Sequence, residues 1–342
     1  MSEHPIHVSL ADLSVQYPLG RKLFGAPPML RAVDSVTLDI PRAAFFGLVG
    51  ESGSGKTTLG RAILRAAPIS GGTVTYRDAE VEYDIGRIDP TALRDYRRRA
   101  QLIFQDPYAA LSPRMTVRDI IAEPLEVMKL TRTREETDER VRDIAARCRL
   151  NLEHLRRYPH AFSGGQRQRI SIARALVARP RFVVADESVA ALDVSIQADI
   201  LNLLKALRDD LRLTILFISH DLGVVAHVCD MVAVMYLGAI VEVGPTRALF
   251  AKPRHPYTAA LFSAIPSLDP DDRGRAQRLE GEIPSAANVP PGCRFHTRCP
   301  FARDRCRAEV PVWREVAPQQ FAACHFSEEL SPTLGGARGH AS

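Results

Sequence analysis

The residues Gly50-Glu51-Ser52-Gly53-Ser54-Gly55-Lys56-Thr57-Thr58 place three glycines, a lysine and adjacent hydroxyls within nine positions. Glycines let successive backbone N–H groups wrap a phosphate chain, and a helix start just after them adds a positive dipole end. This is a P-loop pattern: Lys56 reaches the β- and γ-phosphates, and the Thr57 hydroxyl binds Mg²⁺. Downstream, the apolar run Phe182-Val183-Val184-Ala185 ends in Asp186-Glu187. Asp186 is suited to hold the metal, directly or through water, and Glu187 to polarise an attacking water. A third segment, Phe162-Ser163-Gly164-Gly165-Gln166, sets small residues at a predicted helix start and reads as a second phosphate-binding surface. One chain already has its P-loop for that phosphate. A second cradle therefore makes sense for a nucleotide held by another subunit; taken alone, it is equally a Gly-rich loop with a serine cap.

These side chains need a scaffold. Phe45 to Val49 ends at Gly50, Phe182 to Ala185 at the acidic pair, and Leu213 to Ser219 at His220. Continuous apolar runs of this length suit strands buried on both faces, as in parallel sheets covered by helices, where ligands bind at the carboxyl edge. Helical patterns intervene. One follows Gly55, with Leu59, Ala62, Ile63 and Ala66 on one face and Pro68 as its stop. Another opens at the N-cap Asp89 with Pro90 at the first helical position. Two more cover Thr131 to Arg149 and the segment after Ser163. The Arg94, Arg97, Arg98, Arg99 cluster reads as a solvated helix face. Composition shifts near Pro245, where Pro, Arg and Cys become frequent, and a domain boundary is expected there.

Composition sets outer limits. The chain of 342 residues is 46% hydrophobic and 25% charged, as in ordinary globular proteins. No stretch approaches the ~20 apolar residues of a spanning helix, and the N-terminus lacks a secretion signal, so a cytosolic protein is expected. The net charge of +5 fits a phosphate ligand or an anionic membrane surface as well as nucleic acid. The tail from Glu328 to Ser342 is expected to be unstructured.

Together these motifs resemble the nucleotide-binding subunit of ABC transporters, over roughly residues 8 to 325, and within it the dipeptide/oligopeptide importer branch. Phe162 to Gln166 resembles the family signature, commonly LSGGQ. Ile103-Phe104-Gln105-Asp106-Pro107 resembles the Q-loop, which implies that Gln105 touches Mg²⁺ and senses the γ-phosphate. Ala191-Leu192-Asp193 resembles the D-loop at a dimer interface. Ser219-His220-Asp221 resembles the switch region, with His220 on the γ-phosphate, and Tyr17 the aromatic that stacks on adenine. The branch rests on Phe104 to Met115, Tyr158-Pro159-His160, His255-Pro256-Tyr257-Thr258 and Gly292 to Pro300. The chain has Ala161 where the branch has Glu, and Ser188-Val189 where it has Pro-Thr. Neither change removes a catalytic group.

The resemblance implies an α/β P-loop NTPase fold: an ABC domain over 1–245 with a mixed-sheet core and a helical subdomain over about 106–180. A small Cys-containing C-terminal domain over 246–327 and a tail over 328–342 would follow. It implies an ATPase using ATP and Mg²⁺, paired with a sister subunit or a second copy, at the cytoplasmic face of the membrane. Two permease subunits and an extracytoplasmic solute-binding protein complete the expected importer. The cargo is expected to be peptides, with nickel or another small solute as the alternative. A soluble ABC ATPase working on ribosomes or DNA is disfavoured by a single motif set without long heptads; no nucleic-acid partner is expected. A P-loop kinase or GTPase would leave the signature helix without a purpose.

Six cysteines divide in two. Cys148 and Cys229 lie on apolar helical stripes and read as core. Cys293, Cys299, Cys306 and Cys324, separated by 5, 6 and 17 residues, suit a metal centre or remain free thiols in a small core. The absence of close CxxC pairs disfavours zinc. The family resemblance implies a 4Fe–4S cluster on these four.

Overall fold

The structure, a computed structural model, describes residues 6–20, 27–104, 106–190, 192–264 and 281–329. Strands β1 (Ile6–Pro18) and β2 (Met29–Pro41) lead into β3 (Phe45–Val49), the P-loop and helix α1 (Lys56–Ile63). Then come β4 (Gly71–Arg77), β5 (Glu82–Asp84), α2 (Pro90–Arg99) and β6 (Ala100–Ile103). A helical stretch follows: α3 (Pro107–Ala110), α4 (Val117–Val127), α5 (Arg134–Arg147), two short 3₁₀ turns and α6 (Gly164–Leu176). The chain returns through β7 (Phe182–Asp186), α7 (Val194–Leu211), β8 (Thr214–Ile218), α8 (Leu222–Val228), β9 (Met231–Tyr236) and β10 (Ala239–Pro245). It closes with α9 (Thr246–Ala251), α10 (Pro256–Ser263), α11 (Asp304–Ala308), β11 (Arg314–Ala317) and β12 (Gln320–Ala322).

Two sheets result. The first, in order β2-β1-β4-β5, is antiparallel. Along β2, Val36, Leu38 and Ile40 are buried while the residues between them are exposed, as expected of a strand with one face on the core. The second runs β11-β12-β10-β9-β3-β8-β7-β6. From β6 to β9 it is parallel. Every residue of β3, β7 and β8 is buried, which is why these three strands read as unbroken apolar runs. They are adjacent, so their carboxyl ends deliver the P-loop, Asp186-Glu187 and His220 to one edge.

Helix boundaries follow local signals. Asp89 caps α2 by accepting from the Thr91 and Ala92 N–H groups, with Pro90 at the first position. Cys148 and Cys229 are buried at the ends of α5 and α8, as their stripes imply. α1 is shorter than its pattern: it ends at Ile63, Arg65 turns to a φ of 54°, and Ala66 is exposed. Arg99 also departs from expectation. It is not part of a solvated face but is sunk among Asp78, Glu80 and Asp95, at 2.7, 2.8 and 2.7 Å. Three carboxylates brought from a loop and from its own helix make burial of that guanidinium tolerable.

The segment after Pro245 does not leave the sheet. β12 pairs with β10, Glu242 opposite Ala322 and Val243 opposite Phe321. Phe262, Cys293, Phe295 and Cys306 belong to the same apolar cluster as Phe45 and Ile215. The buried Glu242 carboxylate accepts from the Arg254 and His255 N–H groups and from Gln320 Nε2, at 2.7, 2.9 and 2.8 Å. A separate small C-terminal domain is therefore not evident among the described residues. The expected tail lies outside them from residue 330 onward, while Glu328 and Glu329 pair with Arg314 and Arg303.

Candidate nucleotide site

The P-loop glycines are fixed by close backbone approach. A Cβ on Gly50 would lie 2.1 Å from the Met235 carbonyl oxygen. One on Gly55, whose φ is +107°, would lie 2.2 Å from that of Ala32. Gly55 caps α1 without any side-chain bond to the first turn, which leaves that turn's N–H groups to a ligand. Lys56 is buried, and its ammonium donates to the Gly50 and Glu51 carbonyls at 2.9 Å each and to Ser54 Oγ at 3.3 Å. Burial lowers its pKa, against the opposing fields of Glu187, Asp186 and Glu51. Ser52 and Gly53 are exposed at the loop tip, and Thr58 is half-buried on α1.

Thr57 and Asp186, 129 positions apart, meet: the hydroxyl donates to Asp186 Oδ1 at 3.0 Å. Burial raises the Asp186 pKa, and the Thr57 bond acts against that rise. A hydroxyl beside a carboxylate is the hard-oxygen donor chemistry that suits Mg²⁺. Glu187 stands next along the chain with a φ of 45°, its N–H donating to the Ile218 carbonyl of β8. A non-glycine residue held in this region stores strain, a feature that clusters at active sites. His220 Nδ1 lies 3.4 Å from Glu187 Oε1. Lys56, Thr57, Asp186, Glu187 and His220 thus share one edge.

The Ser163 segment is built differently. Ser163 caps α6 in a reciprocal box: Gln166 N–H donates to Ser163 Oγ, and Ser163 N–H to Gln166 Oε1, at 3.4 and 3.0 Å. Both bonds use acceptor oxygens, so the Ser163 hydroxyl hydrogen and the Gln166 amide hydrogens remain as donors on an exposed helix start. Gly165 is required by packing, because a Cβ there would meet Ile196 Cγ2 at 2.4 Å. Gly164 lies against Leu192 and Tyr108. These neighbours do not overlap with those of the P-loop glycines.

Other expected site residues fall elsewhere. Tyr17 is half-buried on β1, opposite Leu30. Gln105 and Ala191 lie outside the described residues. Ser188 and Val189 are buried in the turn after Glu187, and Ala161 is exposed. The four C-terminal cysteines line one small cavity with His255, Phe295 and His325. Burial pushes the Cys299 and Cys324 thiols up to about 12 and about 11. No group of three or more His, Cys, Asp or Glu among the described residues is placed to hold a metal ion, so the expected cluster gains no support from this geometry.

One residue at this site carried no role in the sequence reading. Arg298, beside Cys299, makes a two-point bond to Glu51 of the P-loop. The sequence offers only its place within the Gly292 to Pro300 string as a signal.

Comparison with known proteins agrees with this geometry. A family model described as ABC transporter matches residues 33–190, and one described as the oligopeptide/dipeptide transporter C-terminal region matches residues 241–306. A peptide import ATP-binding protein of Brucella ovis is 52% identical over 295 residues, 86% of this chain and 92% of the relative. A di/tripeptide transport ATP-binding protein of Pseudomonas aeruginosa is 44% identical over 319 residues, 93% of this chain and 97% of the relative. A dimeric ATP-binding cassette in a post-hydrolysis state, bound to ADP and Pi, superposes with a TM-score of 0.60. It is 26% identical and covers 70% of this chain and 99% of its own. With these matches spanning most of its length, the chain belongs to the ABC transporter family as an ATP-binding, ATP-hydrolysing subunit of its oligopeptide/dipeptide branch.

Proposed function

We propose that this chain energises peptide uptake, working as one half of a cassette dimer at the cytoplasmic face of the membrane, against two permease subunits fed by a solute-binding protein. The partner half is a sister subunit or a second copy. The observation that carries the reading is the meeting of Thr57 with Asp186, beside Glu187 and His220, at the carboxyl ends of three adjacent buried strands. Relatives named for peptide and di/tripeptide transport support the cargo class. Nickel or another small solute is the weaker reading.

In this reading Lys56 exchanges its carbonyl partners for the β- and γ-phosphate oxygens; Thr57 and Asp186 would hold Mg²⁺, which would supply charge neutralisation. Glu187 orients the attacking water and accepts its proton. His220, 3.4 Å from that carboxylate, takes the γ-phosphate side, and Gln105 is proposed to sense the metal. Tyr17 is proposed to stack on adenine. Ser163 and Gln166, with the Gly164 and Gly165 backbone, donate to the nucleotide held by the opposite half. ATP then closes the dimer because only the closed state contacts it from both sides. Hydrolysis removes the bridge.

A groove lined by Leu102, Phe104, Pro124, Val127 and Arg174 is the proposed seat of the permease, since Phe104 and Val127 are large apolar side chains left exposed on its rim. No helix among the described residues is long and apolar enough to cross a membrane. For Cys293, Cys299, Cys306 and Cys324, which line one cavity, a 4Fe–4S cluster serving as a structural crosslink is the reading that the family resemblance implies, without support from the thiol geometry. Iron analysis and visible absorption of the purified protein test that part alone.

The central test is ATP-dependent dimerisation. Light scattering of Glu187→Gln with ATP and Mg²⁺, alone and mixed with its sister subunit, should give a stable dimer in one of the two. A protein that binds ATP yet stays monomeric in both would overturn the reading.

A further inference from the structure

The C-terminal segment grips the P-loop at a single residue and from both ends of it. The Arg298 guanidinium donates to Glu51 Oε2 at 2.7 Å and to Oε1 at 3.0 Å, a fork matched to the carboxylate. The Arg298 side chain is only 5% exposed. The Glu51 N–H, in turn, donates to the Tyr257 hydroxyl at 2.9 Å. The Glu51 carbonyl is one of the oxygens that hold the Lys56 ammonium. Arg298 is therefore two bonds and one residue away from the lysine that meets the phosphates.

The same contacts lead back to the thiol cavity. Arg298 adjoins Cys299, and its N–H donates to the Phe295 carbonyl at 3.0 Å. Phe295, in the cavity wall, packs on Tyr236 and Tyr257 with ring centres 5.4 Å from each. The pair is buried on its Arg298 side and a quarter exposed on its Glu51 side, and a paired guanidinium left without its carboxylate at such a site is costly. The pair stands between the P-loop and the cysteine-rich loop.

We propose that Arg298 is a positioning residue for the nucleotide: acting through Glu51, it sets the P-loop and Lys56, so that ATP affinity and the order of the Cys293–Cys299 loop depend on each other. This rests on the reading of Gly50–Thr58 as the ATP site. Coupling between two sites is reciprocal, so nucleotide must in turn steady the Cys293–Cys299 loop.

The test uses the full chain, a fluorescent ATP analogue with Mg²⁺, and hydrogen exchange of the segment 292–299. Arg298→Gln should weaken nucleotide binding about tenfold with kcat at saturation changed less than about twofold, and Glu51→Gln should weaken nucleotide binding about tenfold as well. The double variant should bind no worse than the weaker single one, and Arg298→Lys, which keeps the charge but not the fork, should fall between. Nucleotide should slow exchange at 292–299 in the wild-type chain and not in Arg298→Gln. If Arg298→Gln does not fold, Glu51→Gln decides alone. A folded variant that binds nucleotide like wild type and keeps the nucleotide-dependent protection overturns the proposal. Failure of the wild-type chain to bind nucleotide would instead overturn the ATP-site reading beneath it.

Discussion

Two glycine-rich helix starts, at α1 and α6, are built on opposite plans. At α1 no side chain caps the first turn, two glycines lie against the carbonyls of Met235 and Ala32, and a buried lysine sits among carbonyl oxygens. At α6 a Ser163–Gln166 box satisfies the helix start, the surface is exposed, and packing on Ile196 fixes the glycine. The first is a charged cradle whose lysine is held by the loop's own oxygens. The second is a finished helix end that offers hydroxyl and amide hydrogens to whatever meets its surface. The difference teaches a division of labour. In the proposed function, one cradle captures the nucleotide from within its own chain, and the other completes a site that a second chain brings to it.

The sharpest break separates binding from chemistry. Glu187→Gln should lower kcat by roughly 10²–10⁴ while leaving ATP affinity within a few-fold, read from steady-state hydrolysis and equilibrium binding. Next comes the contrast between the cradles. Lys56→Ala removes charge-assisted bonds and should weaken ATP binding to the isolated chain by about 10- to 100-fold. If Lys56→Ala binds ATP normally, the first cradle is misread.

Packing gives a smaller effect. Gly165→Ala forces a methyl against Ile196 and should cost about 1–3 kcal/mol in denaturant unfolding. Adding Ile196→Ala, which removes the clashing group, should shrink that increment. Smallest in stability is Ser163→Ala, about 1 kcal/mol for the lost cap. Its diagnostic readout is different: ATP affinity of the single chain should hold while ATP-dependent dimerisation weakens. Equal losses in both would erase the distinction between the two helix starts.

Much of this was legible beforehand because it is encoded locally. Buried strands on both faces leave no room for polar residues, so β3, β7 and β8 stand out as apolar runs whose ends carry the chemistry. Caps such as Asp89 and Ser163 bond within three residues of themselves. The misreadings have two sources, a local turn that no residue type marks and groups brought in from a distance. The end of α1 depends on the positive φ at Arg65, which an otherwise continuing pattern does not announce. Arg99 looks like any surface arginine until Asp78 and Glu80 fold over it.

The sequence by itself determined the inventory of chemistry and which strand or helix end would present each group, because glycine freedom, caps and apolar period act over a few residues. Only the tertiary structure decided which groups meet. Thr57 touches Asp186 because β3 and β7 flank β8. Arg298 reaches Glu51 because Phe295 packs on Tyr236 and Tyr257 and Arg294 donates to the Leu237 carbonyl, which hold the loop before Cys299 on the core. Contacts spanning 129 and 247 positions are fixed by sheet order and by the burial that holds it, and no local spacing records them.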